Sequence, residues 1–330
     1  MSLMDTQYQL LASWAPFIAG MVTFLLTRFM LRSSVFSQIQ DIPNQRSLHE
    51  RPTPRVGGLA LILGVITGWH LLGQQQAPWL SAAVISLMLL SLLDDLKDLP
   101  ARFRLLTHFL VAIGFVSFVL HPIPFYLAFL FVLCLAWMTN IYNFMDGANG
   151  LAGGMAVIGF GFFAMTAACA GDNQFALVNL VIVGSSLAFL WFNFGKAKVF
   201  MGDAGSVPLG FLAAAIGLMG WQKGLWPAWF PVVIFSSFIV DATVTLFKRL
   251  FRGERVWEAH RGHYYQRLIQ MGWSHQKTSL VEYALMLSSG LIGLFAMQLT
   301  PGYAFLLIAL CFLVKLTLMY IVDVRWRTHA

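Results

Sequence analysis

An all-α, polytopic integral membrane bundle of about 10–11 spanning helices is the fold class this sequence predicts, on three observations. Apolar residues fill 58% of the 330 positions and charged residues only 11%, whereas a water-soluble domain carries about 25% charge. The apolar residues fall in runs close to the length a bilayer asks of a helix, about 20 residues. Basic residues gather in alternate connecting loops, which gives the runs a direction.

The first run, 10–30, follows an opening with an acidic residue and no basic segment, so it reads as a retained span with the amino terminus outside. The runs 57–73, 78–94, 105–121, 124–141, 153–171, 176–193, 204–221, 226–246, 280–298 and 302–322 follow. The segments 78–94 and 105–121 are short and flank an acidic stretch. "HPIP", "GDNQF" and "LTPGY" supply the turn formers expected between antiparallel helices. No repeat or second soluble domain appears, so one transmembrane domain, 1–330, accounts for the chain. Cys134, Cys169 and Cys311 lie within apolar runs without metal-ligand spacing, and are expected as packing residues outside any disulfide framework.

If alternate loops share a compartment, one side collects Arg32, Arg46, Arg51 and Arg55, then Lys97, Arg102 and Arg104, then Lys196 and Lys198, then the run from Lys248 to Lys277, and finally Arg325 and Arg327. The other side keeps Lys223. The positive-inside rule then puts the carboxyl terminus in the cytoplasm, with cytoplasmic loops near 31–56, 94–104, 142–152, 194–203 and 247–279. The net charge of +7 follows this topology and no nucleic-acid module is visible. Anionic lipid headgroups and an anionic substrate are the partners it suggests.

Polar groups concentrate on that side. In "LLDDLKDLP", Asp94 and Asp95 sit against an apolar run, where ionised neighbours need water or a cation. They either cap a membrane helix or gather a divalent cation and phosphate oxygens, with Lys97 at i+3 from Asp94. In "TNIYNFMDGANGLAGG", Asn140, Asn143, Asp146 and Asn149 recur every third residue and form one polar edge if the helix persists through Gly147. A capped helix end is the other reading. In "WFNFGKAKVFMGDAGSVPLGF", Asp203 stands in a compact turn after Asn193, either as a cap or as a metal ligand at a phosphate-binding helix start. In the loop that carries "HRGHYYQ", His260, Arg261 and His263 can bind phosphate or remain solvated; zinc lacks a full ligand set. Asp241, within a span, is either functional or part of a structural stripe with Thr245 and Arg249.

The ordered set "DDLKD", "NFMDGANGLAGG", "NFGKAKVFMGDAGS" and "HRGHYYQ" resembles the polyprenyl-phosphate N-acetylhexosamine-1-phosphate transferases over residues 40 to 275. "DIPNQRSLHERPTPRVGG" is similar to the first cytoplasmic loop of that family. "HRGHYYQ" and Asn149 resemble the O-antigen-initiating branch more than the peptidoglycan branch, which has a run of histidines and a second aspartate there. The resemblance implies transfer of N-acetylhexosamine 1-phosphate from a UDP-sugar to undecaprenyl phosphate in the bacterial inner membrane, with UMP released. It implies Mg²⁺, replaceable by Mn²⁺, with Asp203 as ligand and Asp94 and Asp95 as further candidates. Asp94 and Asp95 would lie beside the lipid phosphate, and Asp146 would support the nucleotide and metal. Asn140, Asn143 and Asn193 would contact substrate, Lys97 would bind phosphate, and His260, Arg261 and His263 would meet the donor. A homodimer is compatible with this reading. A transporter or flippase of a lipid-linked or anionic substrate is the alternative, but its polar groups should reach the midplane or both sides.

Overall fold

A backbone inside hydrocarbon must satisfy its own hydrogen bonds, so the apolar runs become helices. The computed structural model describes residues 3–34, 36, 39–43, 48–49, 51–73, 77–97, 99–120, 122–256 and 260–329. Arg46 and Asp98, read above as parts of the first loop and the acidic motif, lie outside the described residues.

The chain runs α1 (Leu3–Arg32), a two-residue ribbon β1 (Gln40–Asp41) and β2 (Thr53–Pro54), α2 (Gly57–Leu71), α3 (Ala77–Lys97) and α4 (Ala101–Phe115). A π-helical turn, Val116–Leu120, extends α4. Then come α5 (Phe125–Phe144), α6 (Leu151–Cys169), α7 (Asn173–Asn193), α8 (Asp203–Gln222), α9 (Trp229–Ile234), α10 (Ser236–Phe251), α11 (Tyr264–Gln270), α12 (His275–Ala296) and α13 (Pro301–His329). The ribbon is antiparallel, with Gln40 opposite Pro54 and Asp41 opposite Thr53.

Among the described residues, nine helices are long and apolar enough to cross a membrane, and Gly57–Leu71 is a shorter apolar helix. The expected runs numbered about 10–11, and most of them coincide with one of these helices. The run 226–246 is not one helix: it divides into α9 and α10 at Phe235, whose ψ of 12° leaves the helical range. The Ser236 hydroxyl donates to the Val233 carbonyl at 2.6 Å across the break. The expected uninterrupted apolar run hid that break.

The spans α8 and α6 form the centre, with 83% and 72% of their apolar windows buried, whereas α13 lies at the edge with 17%. Small residues let the central backbones touch. A Cβ on Gly58 in α2 would fall 2.4 Å from the Gly205 nitrogen in α8. Backbone hydrogen bonds continue that seam: Phe200 N–H donates to Pro54 (2.8 Å), Gly57 to Phe200 (3.0 Å) and Gly58 to Met201 (2.9 Å). The ribbon, the start of α2 and the segment before α8 are therefore one piece of backbone.

Candidate active site

Three helix ends and the ribbon deliver the acidic residues to one place. α3 ends with Asp94 and Asp95, a three-residue connection turns into α4, and the first turn of α4 carries Arg104. α5 stops at Phe144, because Met145 leaves helical geometry and Gly150 takes a φ of 84°. Gly202, at φ +67°, swings the chain into α8, so that Asp203 begins that helix.

Two arginines tie these carboxylates together. Arg104 Nη1 lies 3.0 Å from Asp94 Oδ2 and 3.6 Å from Asp203 Oδ2. Arg55 pairs with Asp41 and reaches Asp95 Oδ1 at 3.5 Å. Asp94 is fully engaged, since its Oδ1 also accepts the Leu99 N–H at 2.8 Å. Asp95 is not: its Oδ2 is buried without a hydrogen-bond partner among the described residues. The neighbouring backbone is near, because a Cβ on Gly202 would lie 3.5 Å from that oxygen.

A cleft of about 370 Å³ opens beside this cluster, lined among others by Arg55, Asn143, Asp146, Asn149, Asn193 and Asp203. Asp94 and Asp95 are not on its surface and join it through the arginines. Burial, and after it the charge of Asp203, raises the Asp146 carboxyl well above the usual range against the pull of Arg55. Asn143 accepts the Ser206 hydroxyl at 2.6 Å, which fastens the end of α5 to the first turn of α8. Asn193 spends both ends of its amide on backbone, accepting Gly150 N–H at 2.7 Å and donating to the Val199 carbonyl at 2.8 Å. It orders the wall it lines.

The structure separates other expected members from the cleft. α5 ends at Phe144, so the polar edge expected through Gly147 stops after Asn143. On that same helix the Asn140 amide donates to Ala136, and Asn140 faces an apolar groove of about 530 Å³ between α4, α5 and α10. Lys97 and Arg261 are exposed. His260 and His263 are not on one helix, because α11 starts at Tyr264 and His263 is its cap residue. Their rings nevertheless meet, with centroids 4.7 Å apart. His263 is buried, 3.3 Å from Asp241 Oδ1. Burial first, then His263 and Arg249, lowers His260 to about 4, so its imidazole is neutral at neutral pH instead of poised to become cationic.

Asp241 follows the structural reading. It accepts the Tyr264 and Tyr265 N–H groups at 3.0 and 3.1 Å and the Thr245 hydroxyl at 3.2 Å, which caps α11. Arg55 and Arg104 went unrecognised as site residues in the sequence, where they read as topological charge. Arg104 stands ten positions beyond Asp94, the reach of a tight helical hairpin.

Among the described residues, no group of three or more His, Cys, Asp or Glu side chains could by itself hold a metal ion. Asp94, Asp95 and Asp203 thus do not form a ready-made metal cluster.

Fold and cleft together define a class: a polytopic membrane protein with a carboxylate-lined, arginine-braced cleft at the ends of its spans. The model of glycosyl transferase family 4 matches residues 77–221. The probable undecaprenyl-phosphate N-acetylglucosaminyl 1-phosphate transferase of Bacillus subtilis (strain 168) is 32% identical over 288 residues, covering 82% of this chain and 80% of the relative. The undecaprenyl-phosphate alpha-N-acetylglucosaminyl 1-phosphate transferase of Yersinia pestis is 28% identical, covering 87% and 85%. A phospho-N-acetylmuramoyl-pentapeptide-transferase of Staphylococcus aureus (strain bovine RF122 / ET3-1) is 30% identical, covering 84% and 96%. The chain belongs to the polyprenyl-phosphate sugar-1-phosphate transferases of this family. Relatives from both the N-acetylglucosaminyl and the muramoyl-pentapeptide branches match it, so the expected preference for one branch is not separated by these likenesses.

Proposed function

We propose that this protein transfers N-acetylhexosamine 1-phosphate from a UDP-sugar to undecaprenyl phosphate at the cytoplasmic face of a bacterial inner membrane, initiating O-antigen or another surface polysaccharide. The observation that carries the reading is the buried Asp95 oxygen left without a donor among the described residues, beside Asp203, in a carboxylate group otherwise braced by Arg55 and Arg104. A buried polar atom without a partner calls for an occupant.

Two anionic substrates must be brought together, so positioning and charge neutralisation are the main tasks. An oxygen of the lipid phosphate attacks the sugar-bearing phosphorus of the donor, a P–O bond forms there, and the bond to UMP breaks. The second pKa of a phosphate monoester is about 6, so the acceptor is largely dianionic at neutral pH and needs no base. Arg55 and Arg104 offset phosphate charge. Asp146, with its raised pKa, can carry a proton and donate to a phosphate oxygen where an ionised carboxylate would repel it. The apolar groove between α4, α5 and α10 offers Phe109, Trp137 and Phe247 to a prenyl chain.

Mg²⁺, with Mn²⁺ as substitute, is the cofactor this reading implies; when bound it neutralises diphosphate charge. Magnesium is commonly held by one or two carboxylates together with substrate phosphates. Asp203 and Asp95 would supply those carboxylates, since both Asp94 oxygens are already engaged.

The test is transfer of labelled sugar phosphate from a panel of UDP-N-acetylhexosamines to undecaprenyl phosphate by purified protein, with Mg²⁺ or with chelator. Product and UMP in equal amounts are expected in the first case. Absence of transfer from every donor would defeat the reading.

A further inference from the structure

Helix α12 lies outside the segment matched by the family model. It carries His275, Ser279 and Tyr283 at four-residue spacing, which puts the three side chains on one face. All three grip the turn that ends α5. His275 Nδ1 accepts the Asn149 N–H at 3.2 Å. Ser279 donates its hydroxyl to the Asn149 carbonyl at 2.8 Å, and the Tyr283 hydroxyl donates to the Gly150 carbonyl.

Tyr283 reaches that carbonyl because position 154 is glycine: a Cβ there would lie 2.0 Å from the ring. From the other side, Asn193 takes the Gly150 N–H and the Asn149 amide donates to the Gly195 carbonyl at 2.7 Å. Every backbone N–H and C=O of Asn149 and Gly150 thus has a partner, four of them supplied by side chains from α7 and α12. His275 does one thing more. Its Nε2 lies 3.2 Å from the Leu48 carbonyl, in the loop that carries Asp41, His49 and Arg55. One ring nitrogen accepts an N–H and the other faces a carbonyl, so the bonding assigns the proton to Nε2.

We infer that α12 is the positioning helix of the cleft and that His275, as the Nε2-protonated tautomer, is a positioning residue joining its two walls. One wall carries Asn143, Asp146 and Asn149; the other carries Asp41 and Arg55. A phosphate-bearing donor spanning both walls feels their separation directly, a kinetic consequence that rests on the transferase reading above.

The two jobs of the ring can be separated by substitution. His275→Asn keeps an acceptor near the place of Nδ1, His275→Gln keeps a donor near that of Nε2, and His275→Ala keeps neither. Hydrogen exchange of the Asn149 amide, followed by mass spectrometry on the intact protein, should quicken about tenfold in His275→Ala and His275→Gln and stay near wild type in His275→Asn. With UDP-N-acetylglucosamine as donor, His275→Ala should raise the donor KM about tenfold, leave the KM for undecaprenyl phosphate unchanged, and recover in part in His275→Asn. Ser279→Ala, which removes a single hydroxyl, should raise the donor KM about threefold and serves if His275→Ala does not assemble.

Unchanged exchange at Asn149 in His275→Ala, or a His275→Asn no slower in exchange than His275→Ala, would overturn the assignment. So would a wild-type donor KM in both His275→Ala and Ser279→Ala. Wild-type protein that transfers nothing would fail the functional reading alone, and the exchange pattern would still decide the role of His275.

Discussion

On the α10–α13 side of the molecule, Asp241 receives two backbone N–H groups and a hydroxyl, and Asp323 receives Lys248, Arg267 and the Tyr264 hydroxyl. Across the bundle, Asp95 keeps one oxygen with no donor among the described residues and its other only within 3.5 Å of Arg55. Asp203 has a donor in the Asn143 side chain, but its Arg104 contact, at 3.6 Å, is longer than a hydrogen bond. Both regions withdraw carboxylates from water. They differ in whether the chain itself supplies the compensating donors. A saturated carboxylate holds elements together, and an unsaturated one is available to a ligand; Asp94, saturated but tied through Arg104 to Asp203, stands between.

The sharpest way to break this comparison is Asp203→Asn. The substitution keeps an oxygen and the volume but removes the charge, so transfer should fall by about a hundredfold or more while the protein assembles normally. Near-normal turnover with unchanged Mg²⁺ dependence would remove Asp203 from the chemistry.

Asp95→Asn and Asp94→Asn then separate the neighbours. The first should cost about a hundredfold in turnover with little change in melting temperature. The second should cost about tenfold and also lower the melting temperature, because its bonds to Leu99 and Arg104 weaken. Equal effects on both quantities would erase the distinction. Asp241→Ala should invert the pattern, destabilising the fold by about 3 kcal/mol through loss of the α11 cap, with turnover per folded molecule changed less than in Asp95→Asn. Denaturation of the detergent-solubilised protein measures it.

The smallest effect concerns pH. His260 drops from 6.5 to about 4 on folding, so between those values the unfolded chain binds more protons than the folded one. The folded state should therefore lose stability as pH falls from about 6.5 toward 4, and His260→Gln should flatten that limb. An unaltered acid limb would place the titration elsewhere.

The spans were legible because burial in hydrocarbon leaves a compositional trace: α5, α7 and α8 begin and end within a few residues of the apolar runs. The break at Phe235 was not, since it falls inside an uninterrupted apolar stretch and the Ser236 bond to Val233 across it is local to the folded chain. Asp94, Asp95, Asp146 and Asp203 stood out as charges against apolar sequence. Arg55 and Arg104 did not, because an arginine in a loop on the basic side has a sufficient explanation in topology. Asn140 misled for a different reason: it shares α5 with Asn143, but a three-residue step on a helix still turns about 60°, enough to put Asn143 on the cleft and Asn140 on the apolar groove. His263 looked like a loop residue, and only the folded chain puts it against Asp241, more than twenty positions earlier.

The backbone seam joining Pro54, Phe200, Gly57, Gly58 and Met201 bears on how freely this protein can vary. Its bonds are made by peptide groups, so most side chains along it can change without moving Asp203. The exceptions are Gly57, Gly58 and Gly205, where a single methyl group would collide with the main chain of a neighbouring segment. A mutational library across this region should therefore be permissive at most positions and nearly closed at those three. The carboxylate is held in register less by the identity of its neighbours than by a place where three neighbours have no side chain at all.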